Sequence, residues 1–131
     1  MGEGLIPKNV REFITANIDS IAELEALMLL FREPAADWTA ASLAERLYSG
    51  PEQAEEAIAK LCSIGVAHAK AGDPVTYHFH PSTPELEQMV SDLAETYSKY
   101  LVPVTNLIHS KPQSRVQQFA DAFKLKKGRD E

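Results

Sequence analysis

The rhythm of apolar residues changes at Gly65, and that change constrains the fold more than any other feature of the chain. Before it, apolar side chains recur every three or four residues, the period of a helix; after it they alternate, the period of a half-buried strand. Ala54, Ala57, Ile58 and Leu61 mark one helix face, Pro51 suits the first turn, and Gly65 can supply a left-handed C-terminal cap. Val66 to Lys70 and Val75 to His80 then read as two short strands joined by Ala71-Gly72-Asp73-Pro74. Val75, Tyr77 and Phe79 share one face and are expected to pack on the helices; Thr76, His78 and His80 share the other.

Helical signals dominate the rest. Val10, Phe13, Ile14 and Ile18 predict a short helix from Lys8 to about Asn17. Ser20 and Glu23 have capping-box spacing ahead of the stripe Ile21, Leu24, Leu27, Met28 and Phe31, and Pro34 stops that helix. Thr39 can cap a further helix that buries Leu43, Ala44 and Leu47 and fades at Tyr48-Ser49-Gly50. From Glu85 a long helix is expected. Leu86, Val90, Leu93, Tyr97, Tyr100, Val104 and Leu107 are separated alternately by four and three residues, a heptad seam of about three repeats. Pro103 removes a hydrogen bond to the Lys99 carbonyl and predicts a kink or a break into two helices. Ser114 and Gln117 repeat the capping spacing before a short stripe of Val116, Phe119, Ala120 and Phe123.

These signals organise 131 residues as one mainly α (α+β) domain. Residues 1–18 form an N-terminal helix, 19–81 the core, 82–109 the long helix kinked near Pro103, and 110–131 a short amphipathic helix with a basic tail. The run LAERLYSGPEQAEEAIAKLCSIGVAHAK resembles the core of winged helix-turn-helix transcription regulators of the broad MarR, PadR and ArsR type. Leu43-Ala44, Leu47, Ala54, Ile58 and Leu61 match its helices, and Leu61-Cys62-Ser63-Ile64-Gly65-Val66 matches its junction into the wing. The resemblance covers roughly Ser20 to His80. It implies a two-stranded wing, a long C-terminal dimerisation helix, and a third helix that enters the DNA major groove while the wing touches phosphates or the minor groove. On this resemblance a homodimer is expected, with Leu86, Val90, Leu93, Tyr97, Tyr100 and Val104 along its seam.

Charge pulls the other way. The net charge is −6, and only residues 108–131 are basic on balance. The third helix turns Glu52, Gln53, Glu55, Glu56, Ala59, Lys60 and Ser63 outward, three acids against one lysine. Gln53 can read an adenine edge and a glutamate can accept from a cytosine amino group, but affinity for DNA comes mostly from cations on phosphates. Lys60, Lys70 on the wing and Arg46 on the second helix supply about six such cations in a dimer, the low end for useful binding. The contact residues expected from sequence are therefore Gln53, Glu56, Lys60, Ser63, Lys70 and Arg46. They serve a DNA-binding regulator or, as the alternative, a winged helix that binds protein without appreciable DNA affinity.

Other constellations carry less. His78 and His80 share a strand face, yet two ligands do not make a structural zinc site, and His68 is expected to oppose Tyr77 and point away. Cys62 lacks the neighbouring positive charge of a redox thiol, and one cysteine suits a reducing cytoplasm. Tyr97, Tyr100 and Trp38 are candidates for a ligand pocket but are better read as core or seam. No catalytic motif appears, no cofactor is expected, and no apolar run is long enough to span a bilayer.

Overall fold

The computed structural model describes residues 5–111. Along the chain run α1 (Lys8–Asn17), α2 (Ile21–Arg32), α3 (Ala40–Leu47), α4 (Pro51–Ser63), β1 (Ala67–Lys70), β2 (Thr76–Phe79) and α5 (Pro84–Lys99). A further helix, α6, covers 101–111. The amphipathic segment and basic tail expected over 112–131 lie outside the described residues.

Local chemistry explains where the helices start. Ser20 Oγ accepts from the Glu23 N–H at 3.2 Å, as the spacing requires. Glu23 Oε1 reaches one residue further back than expected and accepts from the Asp19 N–H at 2.8 Å. Thr39 and Ser42 cap α3 reciprocally, each hydroxyl accepting from the other's backbone N–H at 3.0 and 2.9 Å. Leu24, Leu27, Met28, Leu43, Ile58 and Leu61 are fully buried where α2, α3 and α4 meet. Each such aliphatic side chain contributes about 1.5–3 kcal/mol of burial.

Gly65 does what its position suggests. Its φ is +87, and the Gly65 and Val66 N–H groups donate to the Cys62 and Leu61 carbonyls, both at 3.1 Å. Those two bonds close α4 as a Schellman motif and satisfy two of its orphan carbonyls. The chain returning from the hairpin crosses here, where Ser82 N–H donates to the Gly65 carbonyl at 2.8 Å. A Cβ on Gly65 would stand 2.7 Å from Ser82 Oγ.

The hairpin is antiparallel, pairing Ala67 with Phe79, His68 with His78, Ala69 with Tyr77 and Lys70 with Thr76. Phe79 packs edge-on against Phe31 of α2, ring centroids 5.5 Å apart. Val75, expected beside Tyr77 and Phe79 in the strand, instead belongs to the connector and is exposed. One further contact escaped the sequence. Trp38 bridges Tyr77, exchanging backbone bonds of 2.8 and 2.7 Å, so β2 lies between β1 and a one-residue strand.

Of the two outcomes expected near Pro103, the long C-terminal helix breaks in two, and it does so three residues earlier, at Tyr100, with φ −130 and ψ 55. Pro103 thereby falls in the first turn of α6, where a missing N–H costs nothing. The heptad stripe also has another use than the expected one. Val90, Leu93 and Tyr97 are buried within this single chain, where α5 packs on α1 and α2, and Val104 and Leu107 are buried on α6; Leu86 and Tyr100 are half-buried. An intramolecular core stripe and a dimer seam share one period, so spacing could not separate them. Among the described residues, Leu5, Leu101 and Val102 are left outside, along with Tyr48 and Val75; the first three are 52%, 55% and 62% exposed.

Replacing Gly65 with alanine should cost about 1–2 kcal/mol, from the positive φ and the crowding at Ser82. Thermal melts of the variant should fall by several degrees; a melt matching the parent protein would contradict the role given to Gly65.

Candidate nucleic-acid interface

Helix α4 is amphipathic, so its exposed face is set by what its apolar face buries. Ala54, Ala57, Ile58 and Leu61 point inward, leaving Glu52, Gln53, Glu55, Glu56, Ala59 and Ser63 exposed. Glu52 lies in the first turn, where a carboxylate favours the positive end of the helix. Glu55 and Glu56 have no such role. Gln53 Oε1 accepts from the Gly50 N–H at 3.4 Å, and Ser63 Oγ donates back to the Lys60 carbonyl at 2.6 Å.

The cations expected to meet phosphate are mostly occupied. Lys60 Nζ lies 3.0 Å from Asp19 Oδ2, and Lys111 Nζ lies 2.9 Å from Asp19 Oδ1. Lys111 is only 8% exposed and also donates to the Ile14 and Ile18 carbonyls at the end of α1. Arg46 Nη1 lies 3.5 Å from Glu33 Oε2, and its guanidinium stacks 5.4 Å from the Trp38 ring centroid. Lys70 projects from the exposed end of β1. Of the six residues expected at the contact, Arg46 and Gln53 border one depression together with Tyr48. Lys60, two turns on from Gln53 along α4, is paired with Asp19 of the α1–α2 turn, and Lys70 lies on the hairpin.

Tyr48 was missed by sequence reasoning. It caps α3 in the left-handed region at φ 54 and is 97% exposed. A bulky residue in that conformation is uncommon, but nothing in the residue string distinguishes it from a surface tyrosine. Between α3, α4 and the hairpin lies an open groove of about 600 Å³, lined by Thr39, Ala41, Glu55, Ala59, Val75 and Tyr77. Its walls are apolar, with one carboxylate at the rim.

The aromatic trio considered as a ligand pocket does not assemble. Trp38 is buried against the hairpin and Arg46. Tyr97 is buried and donates its hydroxyl to Glu25 Oε2 at 2.6 Å. Tyr100 lines a different cleft, beside Leu5 and Asp92. Burial, reinforced by the Glu25 carboxylate, pushes the Tyr97 hydroxyl up to about 12. Burial likewise pushes the Cys62 thiol up, the reverse of what a redox switch needs.

His68 corrects the sequence reading. The connector is five residues, 71–75, rather than four, which reverses the parity of pairing. His68 therefore faces His78 and shares its side of the sheet, instead of opposing Tyr77.

No family model and no curated protein sequence matches the chain. Solved structures do. A double mutant of ZitR from Lactococcus lactis superposes with a TM-score of 0.52 at 19% identity, covering 82% of this chain and 74% of that one. The transcriptional regulator Tm0710 from Thermotoga maritima gives 0.52 at 12% identity, covering 94% and 86%. A MarR-family transcriptional regulator from Silicibacter pomeroyi gives 0.50 at 14% identity, covering 85% and 77%. The fold is the winged helix of MarR-type regulators. In winged-helix terms α3 and α4 are the helix-turn-helix pair and β1–β2 the wing. Among the described residues no helix is long and apolar enough to cross a membrane.

Because burial, reinforced by Glu25, holds Tyr97 protonated in the folded protein, stability that is fully present below pH 10 is lost as pH rises toward about 12. Tyrosinate absorbance of the parent minus that of a Tyr97→Phe variant should show a transition near pH 12. A difference transition near pH 10 would mean that Tyr97 is solvated.

Proposed function

We propose that the protein is a cytoplasmic winged-helix transcription regulator that binds duplex DNA as a homodimer through α4 and the wing. The observation that carries this reading is an uncovered α4 face beside an uncovered wing, on a fold whose other helices pack on one another. Exposed Leu5, Leu101 and Val102, near the α5–α6 break, support an intersubunit contact made there rather than along the buried heptad stripe.

Binding on this reading requires exchange of ion pairs. Arg46–Glu33 is half-exposed, and such a pair is worth about 0–1 kcal/mol, so phosphate can displace Glu33 at little cost. Lys60 can also leave Asp19, because Lys111 remains to neutralise that carboxylate. Glu55 and Glu56 oppose the phosphates throughout. The expected affinity is weak and steeply dependent on salt.

A second reading has its own support. The apolar groove with Glu55 at its rim, beside Glu52 and Glu56, suits a basic, apolar segment of a protein partner better than a phosphate backbone.

Fluorescence anisotropy with a random duplex separates the two. If all three cations per subunit engage in a dimer, log K should fall with log salt at a slope of about −5; with Lys70 alone the slope is about −2. Changing Glu55 and Glu56 to lysine should tighten duplex binding about tenfold or more. No binding at about 50 mM salt, even for that variant, removes the DNA reading and leaves the protein partner.

A further inference from the structure

The outer face of the wing gathers three of the four histidines of the chain. His68 and His78 are directly paired across the strands, and His80 follows two residues on, held by its N–H donating to the Val66 carbonyl at 2.9 Å. Their ring centroids form a nearly equilateral triangle, with sides of 5.6, 5.7 and 5.8 Å. Nδ1 of His78 is buried and has no hydrogen-bond partner. We infer that His68, His78 and His80 form a binding site for one divalent transition-metal ion of the zinc, copper or nickel class on the outer face of the wing.

The dimensions carry the argument. Three imidazoles bound at about 2.0–2.1 Å with tetrahedral angles hold their ring centroids roughly 5–5.5 Å apart. The observed triangle is larger by only a few tenths of an ångström. Neutral imidazole nitrogens suit this class of ion, and three of them leave a fourth position for water or an outside ligand. As the rings stand, the described residues present no converged ligand set, so closure requires side-chain rotation. His68 and His80 are exposed and free to rotate; half-buried His78 is the fixed point. Backbone pairing already places all three on one side, so only side-chain torsions remain to be ordered. A bound ion would cross-link the two strands of the wing. It would also add two positive charges on the face that carries Lys70 and, only if the DNA-binding reading holds, strengthen the grip on phosphate.

Calorimetric titration of the full-length protein with zinc chloride near neutral pH tests the site without nucleic acid, so its outcome is independent of that reading. One equivalent of zinc should bind per chain and raise the melting temperature. His68→Gln, His78→Gln and His80→Gln should each weaken binding about tenfold or more, while His109→Gln on α6 leaves it unchanged. Melts without zinc verify that each variant is folded. Cobalt in place of zinc should give the intense visible absorption of a tetrahedral site. No uptake of zinc, or uptake indifferent to His68→Gln, would overturn the proposal.

Discussion

Register in the wing governs more of this molecule than any single contact. The left-handed exit at Gly65 sets where β1 begins, and the Schellman bonds to Cys62 and Leu61 fix its direction relative to α4. Pairing of Ala67 with Phe79 then turns Phe79 onto Phe31 and closes the core from above. The same pairing assigns every other wing residue to a face. Tyr77 turns toward Trp38 and the groove, while Lys70 and the three histidines turn away from the helices. A slip of one residue would exchange the two sets, exposing Phe79 and burying imidazoles without partners. That penalty keeps the register unique.

Charge on the helix-turn-helix is arranged by a second constraint, the carboxylate of Asp19. It joins the α1–α2 turn to α4 through Lys60 and to α6 through Lys111, whose ammonium also caps the end of α1. Lys111 is buried, and so needs all of these partners. Lys60 is more exposed and has an alternative in solvent or in an anion. The arrangement lets one lysine hold the structure while the other remains exchangeable. With Arg46 similarly held by Glu33 and Trp38, the helix-turn-helix presents mainly carboxylates until a stronger anion competes.

Much of this was legible in the residues, for identifiable reasons. α1 from Lys8 to Asn17, the cap at Thr39, Pro51 at a helix start and Gly65 at a helix end are local effects, decided within four or five residues. The failures are all matters of distance or parity. Trp38 pairs with Tyr77 across 39 positions (77 minus 38) as a single residue, too short to show any alternation. Assigning Val75 to the strand rather than the connector shortened the loop by one residue and sent His68 to the wrong face. The heptad stripe was real, but its partner is the α1–α2 pair of the same chain. Pairing of Lys60 with Asp19 and of Arg46 with Glu33 depends on tertiary proximity that no spacing rule reports.

Nuclear Overhauser contacts between α-protons across the wing test the register most directly. His80 and Val66 form a hydrogen-bonded pair, so Ala67–Phe79 and Ala69–Tyr77 are the close, non-hydrogen-bonded pairs of the ladder. Strong α-proton contacts should join Ala67 to Phe79 and Ala69 to Tyr77. Contacts joining His68 to Tyr77 instead would place the strands one residue out of step and contradict both the packing of the wing and the gathering of its histidines.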